Sequence, residues 1–127
     1  MKRLQVLGLA VTAALLAVGS AHAAGDKANG RSLVYSGDTG ECDDLVGLAR
    51  GADFLLCEAS VGPDDEYIPD LHLTGKQAGE HAERAGVDTL LVTHIPPWVP
   101  RDQTFAEAEA AFTGTSKLVS CGDEYEI

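Results

Sequence analysis

A chain of 127 residues with 20 acidic and nine basic side chains has room for one small domain and carries a net charge of −11. That field repels phosphate backbones. It argues against autonomous nucleic-acid binding, which rests on Lys and Arg neutralising phosphates. A small anionic substrate would need a metal or a local cationic pocket.

The first 23 residues read as a secretory leader. Lys2 and Arg3 form a basic start, residues 4–18 are almost continuously apolar, and Ala21-His22-Ala23 fits a small-x-small cleavage pattern. The apolar run is short for a membrane span, which takes roughly 20 residues. The expectation is an exported protein, periplasmic or secreted, with no stable membrane span and one domain over residues 24–127. If the leader is not genuine, for instance through a misplaced start, the location becomes cytoplasmic. Three cysteines, Cys42, Cys57 and Cys121, form no disulfide framework and match no zinc knuckle. A leftover thiol sits awkwardly with export.

Beyond the leader, residues 25–30 are a polar, glycine-flanked lead-in. "RSLVYS" (31–36) predicts a strand, and "ECDDLVGLAR" (41–50) a helix with acids in its first turn, where they suit the dipole. Gly51 stops it. "DFLLCEA" (53–59) is a second strand, with Cys57 as a buried small hydrophobe. Residues 60–72 form a loop rich in Pro and Asp. Thr74 caps a helix over 75–85, with Gln77 completing a capping box and Gly86 ending it. "DTLLVTH" (88–94) is a third strand. Pro96, Pro97 and Pro100 prevent either element from continuing through 95–100. A helix over 101–112, closed by Gly114, and a strand over 116–121 finish the pattern before an acidic tail.

The order is β-α-β-α-β-α-β with short connections, and the joints are read as free of hairpins. This predicts an α/β fold with mainly parallel neighbours. The apolar strands suit a sheet covered on both faces. Parallel strands present their carboxyl ends along one edge, where open α/β proteins bind ligands. Four ionisable residues fall there: Asp38, Glu58, His72 and His94. Each also has a plainer explanation. Asp38 could cap the helix that starts near Glu41, His72 could be a solvated loop residue, and His94 a structurally satisfied strand end. Glu58 needs a partner to be buried at all. His81, between Glu80 and Glu83, reads as a surface residue.

Taken together, "YSGDTG", "LLCEAS" and "HLTGKQAGEHAERAGVDTLLVTHIPPW" resemble the second half of metallo-β-lactamase-fold hydrolases, in their ribonuclease Z-like and cyclic-nucleotide phosphodiesterase-like branch. The resemblance covers about residues 31–127. It implies that Asp38 bridges two zinc ions, that His94 ligates one of them, that His72 is an acid–base group contacting phosphate, and that Glu58 orients His72. It also implies half of an αββα sandwich with one inner sheet face uncovered. The His-x-His-x-Asp-His segment that supplies most metal ligands in the family has no counterpart here. Asp38 and His94 do not hold two zincs by themselves. The expectation is a zinc-dependent phosphodiesterase or ribonuclease Z-like hydrolase, inactive alone, for a small phosphodiester or ester. A homodimer or a complementing N-terminal half would complete it. The alternative is an exported acidic binding protein without enzymatic activity.

Overall fold

The computed structural model describes residues 3–5, 24–28, 30–66 and 69–126. The leader read over residues 1–23 lies outside these, apart from the short strand β1 (Arg3–Gln5). No described helix is long and apolar enough to cross a membrane.

The main sheet has five strands in the order β2 (Ala24–Ala28), β3 (Arg31–Tyr35), β4 (Phe54–Glu58), β5 (Thr89–Thr93) and β6 (Thr115–Leu118). From β3 onward all neighbours are parallel: Val34 pairs with Leu55, Leu55 with Leu90, and Leu90 with Ser116. The connections between them are α1 (Asp43–Ala49), α2 (Gly75–Ala85) and α3 (Arg101–Ala111). The β-α-β-α-β-α-β order expected of the sequence is thus the order found.

The lead-in is the exception. β2 pairs antiparallel with β3, and Ala28 faces Arg31. The chain reverses there through Gly30, at φ 79°, and the sequence at this point reads Asn-Gly. Asn-Gly is the favoured pair for such a turn because it tolerates positive φ. The expectation of no hairpin therefore fails at this point.

Strand alternation divides the apolar residues between two faces. Val34, Leu55, Cys57, Leu90 and Val92 pack with the helices in the main core. Leu56, Leu91 and Val119 form a smaller cluster on the other face, joined by Leu33, Tyr35, Phe54 and Tyr125. The inner face expected to be uncovered is not bare, since Leu91 is fully buried. Tyr125 belongs to β7 (Glu124–Glu126), which pairs antiparallel with β1. Helix α2 is set as its sequence predicts. The Thr74 hydroxyl accepts from Gln77 N, Gln77 Oε1 accepts from Thr74 N, and Gly86 adopts the left-handed cap.

His81 is the second departure. It is buried, with Nδ1 2.8 Å from the Gln77 carbonyl and Nε2 3.1 Å from the Cys42 amide nitrogen. A carbonyl only accepts and an amide only donates, so Nδ1 carries the proton and Nε2 accepts. α2 buries a stripe of small residues, Ala78, Ala82 and Ala85. At Gly79 a Cβ would come within 2.4 Å of the Ala108 carbonyl oxygen on α3. His81 lies on another face of α2, where its ring ties that helix to the start of α1.

Candidate metal centre

The segment Ser36-Gly37-Asp38-Thr39-Gly40 leaves the end of β3 and turns toward α1. Ser36 fixes its start: its amide donates to the Leu56 carbonyl at 2.9 Å, and its hydroxyl accepts from the Glu58 amide at 3.0 Å. Gly37 sits at φ 61°, where a side chain is strained. At Gly40 a Cβ would lie 2.4 Å from Asp70 Cα. One glycine is needed for the turn and the other for the close pass of the 69–72 backbone. Asp38, between them, has a side chain 60% exposed. It caps nothing: α1 takes Cys42 as its N-cap, without a side-chain cap bond.

Glu58 closes β4 and is fully buried. Its Oε1 accepts the Thr39 amide at 3.0 Å and lies 2.8 Å from His72 Nδ1, while Oε2 accepts the Ser60 amide at 2.9 Å. Three N–H groups thus satisfy the carboxylate, which is how a buried acid is tolerated. His72 Nδ1 must hold the proton, and Nε2 is left free of any described partner. The solvated alternative for His72 does not hold.

His94 follows β5 at φ 54°, a left-handed conformation uncommon outside glycine. Its carbonyl accepts the Ser60 hydroxyl at 2.8 Å. Its Nδ1 lies 2.9 Å from Asp38 Oδ1, and its ring meets that of His72 edge-on with centroids 5.8 Å apart. Strained non-glycine backbone of this kind gathers at functional sites. The four rim residues picked out in the sequence are therefore brought together: Asp38 with His94, and Glu58 with His72.

Asp38, Glu58 and His72 each offer a ligand atom within 4.8 Å of the others. Glu58 is the poorest donor of the three, because N–H groups already occupy both its oxygens. Asp38 and His94 are half-exposed, and a carboxylate with an imidazole is a donor set that suits zinc. The local field points the same way. After burial itself, the charges of Asp38 and Glu58 raise the Tyr35 phenol above its ordinary value. Burial likewise pushes the Cys57 thiol up to about 12, which disfavours the thiolate at neutral pH. A cavity of about 670 Å³ between α2, α3 and the 61–65 loop includes none of the four rim residues.

Sequence reasoning passed over two residues here. Thr39 and Ser60 lend backbone amides to Glu58, and no side-chain pattern announces an amide.

Residues 18–95 match the family model of the beta-lactamase superfamily domain. The chain belongs to this superfamily. The metallo-beta-lactamase fold protein YhfI from Bacillus subtilis superposes with a TM-score of 0.70 at 28% identity, over 76% of this chain and 40% of that one. The parallel sheet and its helices are therefore part of a metallo-beta-lactamase fold. Among curated relatives, the uncharacterized protein Rv1339 of Mycobacterium tuberculosis is 52% identical over 99 residues, 78% of this chain and 36% of its own length. Ribonuclease Z of Methanothermobacter thermautotrophicus is 35% identical over 86 residues, 66% of this chain and 28% of its own length. The chain thus spans about a third of the length of these two superfamily relatives.

Proposed function

We propose that the chain contributes the acid–base pair and two metal ligands to a zinc-dependent hydrolase acting on a small phosphodiester. The observation that carries this is the meeting of two pairs at one sheet edge, His94 with Asp38 and His72 with Glu58. In this reading Asp38 and His94 are the ligands. Zinc, when bound, supplies a Lewis acid and an activated water near neutral pH.

His72 works from Nε2. Glu58 holds its Nδ1–H, so the free Nε2 can take the proton released by the attacking water and pass it to the departing oxygen. The acidic surface, with pI about 4.5, favours a small ester over a polynucleotide.

Two ligands fall short of the three that a hydrolytic zinc takes alongside its water. The chain is therefore inactive alone and is completed by further ligands, from a complementing segment or a second copy. The test is hydrolysis of bis(4-nitrophenyl) phosphate with added zinc. The pure chain should give no turnover, and activity should appear on assembly and be lost in His94→Ala. Turnover by the lone chain that is abolished by His94→Ala would overturn the claim of inactivity. Turnover by the assembly that His94→Ala leaves intact would overturn the site.

A further inference from the structure

Ser60 stands on a fixed piece of backbone. The successive amides there donate to separate acceptors: Glu58 to the Ser36 hydroxyl at 3.0 Å, Ala59 to the Thr93 carbonyl at 3.1 Å, Ser60 to Glu58 Oε2 at 2.9 Å and Val61 to the Leu73 carbonyl at 3.0 Å. The run is thereby tied to the ends of β3 and β5 and to the segment before α2. The Ser60 side chain takes no part in that anchoring. Its hydroxyl reaches across to the end of β5 and donates to the His94 carbonyl at 2.8 Å.

The residue it reaches is the strained one of the site. Leu90 and Val92 pack with the helices, so in a continuing strand His94 would fall on that same covered face. The left-handed turn at φ 54° takes it out to the rim instead, where its side chain is 45% exposed and meets Asp38. A non-glycine residue keeps such a conformation only where its surroundings fix it. Here both peptide planes that flank the His94 Cα are held. The Ala59 amide binds the carbonyl of Thr93 on one side, and the Ser60 hydroxyl binds the carbonyl of His94 itself on the other. The first is a backbone bond that almost any residue at position 59 would supply. The second needs a hydroxyl at position 60.

We propose that Ser60 is a positioning residue, whose hydroxyl keeps His94 in the left-handed turn that presents its imidazole to Asp38. The same residue gives its amide to Glu58, which holds His72, so one serine stands between the two pairs of the site. That the presented imidazole receives a metal rests on the reading of the site given above. The backbone role does not.

The test reads the φ-dependent backbone couplings of His94 by NMR, without metal, in the full chain and in its Ser60→Ala and Ser60→Thr variants. In Ser60→Ala they should move from the left-handed value toward negative φ. In Ser60→Thr, which keeps a hydroxyl, they should stay. The His72 ring shifts should hold in both variants, because the amide of residue 60 still satisfies Glu58, whereas a general loosening of the fold would move them too. Zinc is then titrated against the His94 ring signal. Its midpoint should rise about tenfold in Ser60→Ala, the scale of losing a group that orients a ligand, and stay within about threefold in Ser60→Thr. Left-handed couplings kept in Ser60→Ala, couplings lost equally in Ser60→Thr, His72 shifts that move along with those of His94, or a zinc midpoint unchanged in Ser60→Ala would each overturn the proposal. A parent chain that takes up no zinc would end the metal reading alone, and the metal-free couplings would still decide the role of Ser60.

Discussion

His72 Nδ1 lies 2.8 Å from Glu58 Oε1, and the same oxygen accepts the Thr39 amide at 3.0 Å. With Oε2 accepting the Ser60 amide, the buried acid thus ties the β3–α1 connection to both ends of the β4–α2 connection. In Glu58→Gln the amide group turns an N–H toward a donor on one side or the other. The expected loss is about 1–3 kcal/mol of folding stability, the cost of an unsatisfied buried group, together with loss of the fixed His72 tautomer. Urea denaturation and nitrogen chemical shifts of the His72 ring measure both. Unchanged ring shifts would show that Glu58 does not orient His72.

Gly40 and Gly47 should respond in opposite ways to alanine. At Gly40 the new Cβ meets the Asp70 backbone, and backbone does not swing aside like a side chain. Overpacking of this kind costs about 1–3 kcal/mol. Gly47 lies inside α1 with nothing within 4 Å of the added atom. Alanine there should stabilise by up to about 1 kcal/mol through helix propensity. Paired thermal melts of the two variants decide it, and equal shifts of one sign would contradict the packing described.

The three thiols should separate by reactivity. Cys121 is exposed, Cys42 partly so and Cys57 buried. With its pKa pushed up to about 12, Cys57 has almost no thiolate at neutral pH. A thiol-reactive disulfide reagent should label Cys121 rapidly in the native chain and Cys57 only after unfolding. Native labelling of Cys57 at the rate of Cys121 would contradict the β4 packing.

Asp53 supplies an acid-sensitive contact. Its carboxylate accepts the Ser32 amide at 2.7 Å and the Ser32 hydroxyl at 3.0 Å. These bonds, with Arg31 nearby, hold its pKa below the ordinary 3.8. A lowered folded-state value means the contribution is complete above pH 3.8 and disappears as pH falls through the folded value. Denaturation curves at pH 6 and pH 3 should therefore show a smaller acid loss in Asp53→Asn than in the parent. An equal loss would rule the contact out as a source of acid sensitivity.

The order of elements was legible because each carried a local signal. The capping box of Thr74 and Gln77 and the stop at Gly86 delimit α2 at residues 75–85, as expected. The four rim residues were legible because a parallel sheet sends all its strand ends to one edge. What escaped depended on partners distant in sequence. Gly40 is required by Asp70, 30 positions away, and His81 is buried with its Nε2 accepting the amide of Cys42, 39 positions away at the start of α1. The reversal at Gly30 was different, since its Asn-Gly signal lay in the sequence but within a stretch read only for polarity.

The most direct test of the centre is a zinc titration of the full chain followed through its histidine ring resonances. His94 should shift saturably while the buried His81 stays still, and Asp38→Ala should abolish the response. A His94 signal that does not move up to millimolar zinc, or that moves equally in Asp38→Ala, would contradict the assignment of Asp38 and His94 as metal ligands.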